Sequence, residues 1–280
     1  MWWLRTTGRS PGRGLSRASL LDATLNMVVF AEDTAVLDLS MRRLVRHTRD
    51  EDLRLALWVN GSSKAVKDYC RDLADARPGT QLYFSRNIGH PDALDELMSR
   101  CETRYFVCFD MDSFPVADGW LDDLKSRIDA GASAAGVIEG ASGKRNKWGE
   151  YVHPSCMMFD MAEFESLKHP RHGLRFGGFS PVRADCGEMI TVRIVKTGRQ
   201  YDGWRYTHCH FPGELDWGFR YYGGYWCHIW MVSRLCAERR WHGKRGAEWI
   251  YGLYGATPDR YKELLDGFVG EMGDGVPKVF

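Results

Sequence analysis

The feature that most constrains the fold is a regular alternation, in the N-terminal part of this 280-residue chain, of short apolar runs with longer segments of helical spacing. The runs at 25–30, 53–59, 81–85 and 104–109 have the length of strands, and the segments at 34–49, 63–76 and 91–101 have the spacing of helices. Strands that alternate with helices pair in parallel, so we predict an α/β fold with a mostly parallel central sheet flanked by helices. Ligands of such sheets bind beyond the carboxyl ends of the strands.

The C-terminal part of the chain is less regular. We predict strands at 134–139 and 156–159, a polar loop at 141–150 and a helix at 185–197. Beyond Gly198 the chain is rich in Trp, Tyr, Gly and His, which favours short strands or ordered loops over a helix. There is no internal repeat, and we expect one α/β domain spanning 23–280.

The overall charge does not indicate a partner that is attracted by the net charge of the whole protein. The 38 Lys and Arg residues nearly balance the 37 Asp and Glu residues, so no global field is available to hold nucleic acid or a membrane surface. A local patch remains at 234–245, where five basic residues face one acid, a pattern that also fits a solvated helix end. Because no apolar stretch reaches the ~18 residues that span a bilayer, no membrane partner is expected.

The cysteines and the N-terminus bear on location. The eight cysteines lack paired spacing, which favours reduced thiols and a cytoplasmic protein over a disulfide framework. The first 21 residues contain four arginines and no acid, so residues 1–22 are predicted to form a flexible basic arm. An organelle transit peptide has the same composition, and the residues leave that alternative open.

The motif with the clearest chemistry is Asp110-Met111-Asp112, which follows the buried strand predicted at 104–109. In an extended segment residues i and i+2 share a face, so both carboxylates can point into one crevice. Two carboxylates suit a hard cation such as Mg²⁺ or Mn²⁺. The bare pattern is also common as a solvated helix cap. A buried strand that ends in two carboxylates nevertheless requires something to compensate their repulsion, which favours a metal site.

Three further motifs surround this pair: Asn60-Gly61-Ser62, Arg86-Asn87-Ile88-Gly89 and Gly119-Trp120-Leu121. In this order the motifs resemble the nucleotide-sugar half of GT-A glycosyltransferases of the family-two kind, from about 25 to 124, and more loosely over 150–235. The resemblance implies a Rossmann-like GT-A domain with a donor half at 23–124, an acceptor half at 125–235 and a C-terminal extension at 236–280. It also implies Mn²⁺- or Mg²⁺-dependent transfer of a hexosyl or pentosyl group from a nucleotide diphosphate sugar to an acceptor hydroxyl.

The resemblance assigns roles to individual residues of the donor half. Asp112 becomes the direct metal ligand, and Asp110 lies near the metal or the ribose of the donor. Arg86 lies near the diphosphate, although an ordinary surface arginine fits the charge pattern equally well. Asn60 belongs to the donor site, and Asn87 either hydrogen-bonds the donor or caps the helix that follows.

The donor base is left open by one departure from the family pattern. Family members often carry an acid just before Asn-Gly-Ser to bind uracil, and Val59 stands there in this chain. Asp33, which follows the first strand, is a candidate for a nearby donor contact. A stabilising acid at the start of a helix is its alternative role.

Direct displacement at the anomeric carbon requires a base to deprotonate the acceptor hydroxyl. Asp185 and Glu188 are the candidates, because residues three apart at the start of a predicted helix share one face. The same spacing is also typical of a helix cap with an acid at its third position. Similar glycosyltransferases place the base at the acid that opens this helix, so we favour Asp185 with Glu188 in support, and a single displacement implies inversion.

A late histidine often completes the metal shell in GT-A enzymes, and His228 has that position here, with His210 as its rival. A histidine among aromatic residues is more often part of the core. His208, Cys209, His210, Cys227 and His228 also resemble a zinc set, but they lack the loop spacing of structural zinc sites.

Aromatic residues between 201 and 230 suggest a wall for the acceptor, since aromatic faces stack on sugar rings and on bases. Trp204, Trp217 and Trp226 are our candidates, and core packing is the alternative for most of this tract. The acceptor class stays open among a glycan, a natural product, a peptide and a hydroxylated nucleobase in DNA. Phosphate binding by a nucleic-acid acceptor would make affinity fall steeply with salt.

Two other functions fit parts of the pattern. A nucleotidyltransferase also combines carboxylates, metal and nucleotide on a parallel sheet, but it normally has a glycine-rich basic loop after the first strand, where this chain has Ala31-Glu32-Asp33-Thr34. A non-catalytic carbohydrate- or nucleic-acid-binding module on a degenerate GT-A scaffold is the second, and the intact Asp110 and Asp112 pair disfavours it.

Overall fold

The computed structural model describes residues 22–31, 34–140, 149–167, 175–176, 185–211, 218–229 and 258–273. The N-terminal half contains β1 (Ala23–Val29), α1 (Ala35–His47), β2 (Leu55–Asn60), α2 (Lys64–Ala76), β3 (Gln81–Ser85), α3 (His90–Ser99), β4 (Tyr105–Asp110), β5 (Ser113–Pro115) and α4 (Trp120–Asp129). The C-terminal half contains β6 (Ala132–Gly140), β7 (Glu150–Asp160), α5 (Met161–Leu167), α6 (Glu188–Lys196), β8 (Gln200–Cys209), β9 (Phe219–Tyr222), β10 (Trp226–Ile229) and α7 (Pro258–Gly273).

The strands form one sheet in the order β3-β2-β1-β4-β7-β6-β8-β9-β10-β5. In the central part, from β3 to β8, the pairs β2–β3, β1–β2, β1–β4 and β6–β8 are parallel, and β7 is antiparallel to both its neighbours. The predicted α/β fold with a mostly parallel central sheet is therefore confirmed. The strands from β8 to β5 pair antiparallel and extend the sheet at one side.

The pairing pattern fixes which strand ends share an edge. Since β7 runs opposite to both β4 and β6, and β8 is parallel to β6, the strands β4, β6 and β8 all point the same way. Their carboxyl ends lie at one edge of the sheet, together with the beginning of β7. Asp110 at the end of β4, and Asp112 just after it, lie at this edge.

Helices cover both faces of the sheet because its central strands are apolar on both sides. All seven residues of β1 are buried, as expected for a parallel strand between two layers of helices. One face of the sheet packs on α1, α2 and α4, which contribute the buried side chains of Leu37, Leu73 and Leu124. The opposite face packs on α3, α5 and α6.

The C-terminal helix α7 differs from the expectation that the chain beyond Gly198 has only strands and loops. Its Leu264 and Phe268 are buried beside Val36 of α1 and Phe114 of β5. Leu264 and Phe268 have helical spacing. The expectation of strands and loops, which rests on the aromatic and glycine-rich tract before them, was wrongly applied to these later residues. Over the residues that the structure describes, no helix combines the length and apolar character needed to cross a membrane.

Two other boundaries also differ from the sequence-based expectations. The strand predicted at 156–159 is part of the longer β7, and the helix predicted from Asp185 begins at Glu188. The predicted polar loop lies mostly at 141–148, outside the described residues, as do most of the basic arm and the whole of the patch at 234–245.

Candidate active site

The turn that carries the two aspartates is fixed by two neighbouring elements. Ser40 of α1 donates its hydroxyl hydrogen bond to the carbonyl of Met111 at 2.7 Å. The backbone N–H of Ile229, at the end of β10, donates to the carbonyl of Asp112 at 2.8 Å. Both ends of the turn are therefore tied to residues far away in the sequence.

A bulge in β7 provides a third point of attachment for the chain around this turn. The register between β6 and β7 shifts after Gly136, so that Val137 pairs with His153 and residues 154–156 lie outside the ladder. Proline is tolerated in a strand at such a position, which explains Pro154. The carbonyl of Ser155 is free of the ladder and accepts hydrogen bonds from the Ser113 hydroxyl at 2.6 Å and from the Trp226 indole at 3.0 Å.

Asp110, Asp112 and His228 converge in one cluster whose potential ligand atoms all lie within 4.8 Å of one another. His228 Nε2 lies 3.8 Å from Asp110 Oδ2 and 3.7 Å from Asp112 Oδ1, distances too long for hydrogen bonds. Asp112 and His228 are buried, and the Asp110 side chain is 18% exposed. Among the described residues this is the one group of three or more His, Cys, Asp or Glu side chains close enough to share a metal ion.

The rival histidines lie elsewhere. His210 Nε2 is 3.2 Å from Glu271 of α7, and His208 stacks on Tyr221 with ring centroids 4.6 Å apart. The zinc set considered from the sequence is therefore not assembled within the described parts of the chain, and the geometry favours His228 over His210.

A second histidine, His90, contacts the cluster from α3. Its Nε2 lies 3.1 Å from Asp110 Oδ1. Burial lowers the pKa of His90, but the Asp110 carboxylate and the Cys186 side chain outweigh burial, so the pKa is raised well above its usual value. Burial raises the pKa of Asp110, but His90, with His153 and His228, reverses that effect and lowers it.

His228 has the opposite electrostatic character. Burial lowers its pKa to about 3, so its imidazole is neutral at neutral pH and has a lone pair to offer. Two carboxylates and a neutral imidazole form a donor set suited to Mn²⁺ or Mg²⁺. The residues present therefore fit a divalent cation.

Asp185 is linked to this cluster through two intervening residues, Tyr151 and His153. The Tyr151 hydroxyl donates to Asp185 Oδ2 at 2.9 Å, the ring of Tyr151 lies 5.6 Å from that of His153, and His153 lies 5.5 Å from His228. Asp185 is partly exposed. Its position on this network is compatible with the predicted role of base.

Glu188 has a different environment. Its carboxylate accepts the backbone N–H of Asp185 at 2.9 Å, and the residue is only 2% exposed. Such a contact from a residue in the first turn back to the chain that precedes the helix is a capping interaction. The cap is the role that this geometry supports.

Two of the predicted donor residues, Asn60 at the end of β2 and Asn87, hold the loop that precedes α3. Asn60 Oδ1 accepts the N–H of Ile88 at 2.9 Å, and its amide donates to the carbonyl of Gly89 at 3.2 Å. Asn87 Oδ1 accepts the N–H of Gly89 at 2.9 Å. Both asparagines thus hold the loop, and Asn87 precedes α3 rather than capping it, because Gly89 occupies the N-cap position.

The remaining candidates are placed as follows. Arg86 is exposed at the end of β3 and makes no ion pair with another described residue. Trp204 and Trp226 are 2% and 0% exposed, and their rings stack 6.3 Å apart within the core, a placement that does not support contact with an acceptor. Asp33 and Trp217 lie outside the described residues.

The sequence arguments missed His90, Tyr151 and His153. His90 was visible at the end of the Arg86-Asn87-Ile88-Gly89 motif, and its position beyond a parallel strand was a signal for a role in the site. Tyr151 and His153 could not be found in this way, since the loop-like composition before them hid the start of β7.

Comparison with known proteins shows which family this chain matches. The model of the family described as glycosyl transferase family 2 matches residues 27–199, which include Asp110, Asp112 and Asp185. A search of curated proteins returns no match.

Solved structures that resemble this chain include the mannosyltransferase PcManGT of Pyrobaculum calidifontis in complex with GDP-Man and Mn²⁺, at 12% identity over 65% of this chain and 54% of that chain, with a TM-score of 0.47. GalNAc-T7 with UDP, GalNAc and Mn²⁺ is 14% identical over 68% of this chain and 44% of that one, with a TM-score of 0.49. TarS 1–349 of S. aureus in complex with UDP-GlcNAc is 11% identical over 50% and 46%, with a TM-score of 0.38. This chain spans about half the length of these proteins.

The family match begins in β1, passes through the aspartate turn and ends just before β8, so it takes in most of the mostly parallel sheet and more than half of the chain. The family resemblance predicted from the sequence is confirmed by this match. The chain belongs to glycosyl transferase family 2, with the α/β architecture of the GT-A type.

Proposed function

We propose that this protein is a metal-dependent glycosyltransferase that moves a sugar from a nucleotide diphosphate sugar to an acceptor hydroxyl, with inversion at the anomeric carbon. The observation that carries the proposal is the cluster of Asp110, Asp112 and His228 at the carboxyl edge of the sheet in a family 2 chain. Ligands of open α/β sheets bind at this edge.

Asp110, Asp112 and His228 would hold the cation, which is Mn²⁺ or Mg²⁺ in this proposal. When bound, such a cation neutralises the charge that develops on a departing diphosphate. Arg86 is exposed beyond the carboxyl end of β3, at the same edge of the sheet as the end of β4, and would add positive charge on the nucleotide side.

Asp185 is the proposed general base. Its Oδ2 accepts the Tyr151 hydroxyl, and its Oδ1 accepts the N–H of Cys186 at 2.8 Å, so the carboxylate is held in one orientation. A fixed carboxylate takes the proton of an acceptor hydroxyl as the oxygen attacks the anomeric carbon from the face opposite the diphosphate. This single displacement gives inversion.

The acceptor is a hydroxyl compound, and a glycan, a natural product, a peptide and a hydroxylated nucleobase remain the four classes to test. For a nucleic-acid acceptor, affinity would fall steeply between low and moderate salt. For an uncharged acceptor, affinity would change little with salt.

The test is a donor-turnover assay with a panel of nucleotide sugars that includes GDP-mannose, UDP-GlcNAc and UDP-GalNAc, each with Mn²⁺, with Mg²⁺ and with a chelator. Water serves as the acceptor when none is known. We expect metal-dependent release of a nucleoside diphosphate from one donor class and loss of that release in Asp112→Asn.

The identity of the product separates this proposal from its rivals. A nucleotidyltransferase that acts on a nucleotide sugar transfers a nucleoside monophosphate by breaking the diphosphate bond and releases a sugar 1-phosphate, and a binding module gives no turnover of any donor. Either result would overturn the proposed function.

A further inference from the structure

We propose that His90 is a positioning residue that orients Asp110 toward Asp112 and His228. This inference rests on the proposed metal-dependent function. Among the described residues His90 is not one of the three clustered potential ligands, so its effect would act through Asp110.

The two oxygens of Asp110 face different partners. Oδ1 lies 3.1 Å from His90 Nε2, within reach of a hydrogen bond, whereas Oδ2 faces His228 Nε2 at 3.8 Å. Rotation of an aspartate carboxylate about its last side-chain bond has only broad preferences. A close polar contact with one oxygen restricts this rotation and leaves the other oxygen aimed at the cluster.

His90 can exert this control because the loop before it is itself fixed. Asn60 bonds to Ile88 and Gly89 on two sides, as described above. Gly89 has a φ of 93°, in the region that favours glycine, and turns the chain into α3, of which His90 is the first residue. The Asn60 and Asn87 contacts therefore present the His90 ring to Asp110.

The packing of Gly61 adds a further constraint on the same loop. A Cβ at Gly61 would lie 2.8 Å from the backbone nitrogen of Asn87, so only glycine allows this approach between the end of β2 and the loop. Gly61 also has a φ of 78°. The segment at the end of β2 and the segment that follows β3 are thus packed together, and this packing fixes the position of His90.

His90 thus lies outside the cluster of potential ligands and contacts one of its carboxylates. Partners of this kind orient the groups that bind metal, and their loss typically weakens metal affinity by about 10–100-fold.

The test uses Mn²⁺ alone as the probe and follows the free ion by electron paramagnetic resonance during titration of the full chain. We expect His90→Leu to weaken Mn²⁺ binding by about tenfold or more. His90→Gln, whose side-chain amide can still donate toward Asp110, should recover most of the affinity. This rescue is a readout that a merely structural role would not give.

His47→Leu is the matched control, because His47 makes a similar contact with an aspartate, Asp118, at 2.7 Å near the C-terminal end of α1. It should leave Mn²⁺ binding unchanged. If His90→Leu does not fold, His90→Asn replaces it, since its amide is too short to reach Asp110 and the same loss is expected.

Asp112→Ala separates failure of this inference from failure of the proposed function. Wild-type protein that binds no Mn²⁺, or binds it equally well without Asp112, overturns both. Wild-type binding that is lost in Asp112→Ala but unchanged in folded His90→Leu or His90→Asn overturns only the role of His90. Loss of affinity in His90→Leu without recovery in His90→Gln overturns it as well.

Discussion

At the scale of single residues, two acids that the sequence places together separate into two environments. Asp185 is partly exposed and is held by Tyr151, whereas Glu188 is buried and accepts the N–H of Asp185. Their spacing predicts a shared face but not which acid meets a substrate, because that depends on the distant strand β7. The contacts therefore favour Asp185 as the candidate base and Glu188 as a helix cap.

Asp185→Asn and Glu188→Gln therefore form a matched pair. Asp185→Asn should lower the rate of donor turnover by about 10²–10⁴-fold, the contribution typical of a positioned base, and leave Mn²⁺ affinity nearly unchanged. Glu188→Gln keeps an acceptor for the cap and should retain most of the rate. Turnover by both variants is measured as released nucleoside diphosphate, and a larger loss in Glu188→Gln would reverse the assignment.

Asp95 on α3 gives a prediction about pH. Burial raises the pKa of Asp95 to about 6, above the ~3.9 of an unfolded aspartate, although its Oδ1 accepts the N–H of Phe176 at 3.0 Å. The folded state therefore favours the protonated form. The stability contribution of this group is full below pH ~4 and is lost as pH rises to about 6.

Asp95→Asn should remove this loss while it keeps an oxygen for the Phe176 N–H. We expect the variant to gain about 1 kcal/mol over wild type at pH 7 to 8, after allowance for the exposed part of the side chain, and to gain less at pH 5. Urea unfolding at several pH values measures the difference. A difference that does not change with pH would show that the carboxyl is not perturbed in this way.

At the scale of elements, the bulge in β7 links packing to the site. The strands β6 and β8 approach each other at Gly136 and Gly203, which pair in register. A Cβ at Gly136 would lie 2.0 Å from the carbonyl oxygen of Cys156, next to the bulge that frees Ser155. Glycine is thus required by the close approach of three backbones.

Gly136→Ala should destabilise the protein by about 3 kcal/mol, because backbone rather than a flexible side chain must shift. Gly267→Ala is the control, since Gly267 is an exposed residue inside α7 with nothing within 4 Å of an added Cβ. This helix substitution should stabilise by about 0.8 kcal/mol. Chemical denaturation of both variants decides the matter, and equal stabilities would argue against the close approach.

At the scale of the whole molecule, the sequence predicts the parallel part of the sheet well because each of its elements follows from local periodicity. The strands β1 to β4 and the helices between them lie within a few residues of their expected positions. The turn at Asp110 and Asp112 was found for the same reason, as it directly follows a continuous apolar strand.

The antiparallel part could not be predicted in the same way. β10 pairs with β5, more than one hundred positions earlier in the chain, and this pairing is what carries His228 to the aspartates. The local sequence pattern does not indicate which distant strand a given strand will pair with. The late histidine was proposed from family resemblance. His90 directly follows the motif Arg86-Asn87-Ile88-Gly89, which was recognised from the sequence without the contact between His90 and Asp110.

The central claim, that one metal-dependent nucleotide site lies at the carboxyl edge of this sheet, is tested most directly by thermal unfolding. Wild type and Asp112→Ala are heated with each nucleoside diphosphate, with and without Mn²⁺. At one hundred times its dissociation constant a ligand adds ~2.7 kcal/mol, enough to raise the Tm by several degrees. We predict such a shift for wild type with one nucleoside diphosphate, only when Mn²⁺ is present, and none for Asp112→Ala. No shift with any nucleotide, or an equal shift in Asp112→Ala, would contradict the claim.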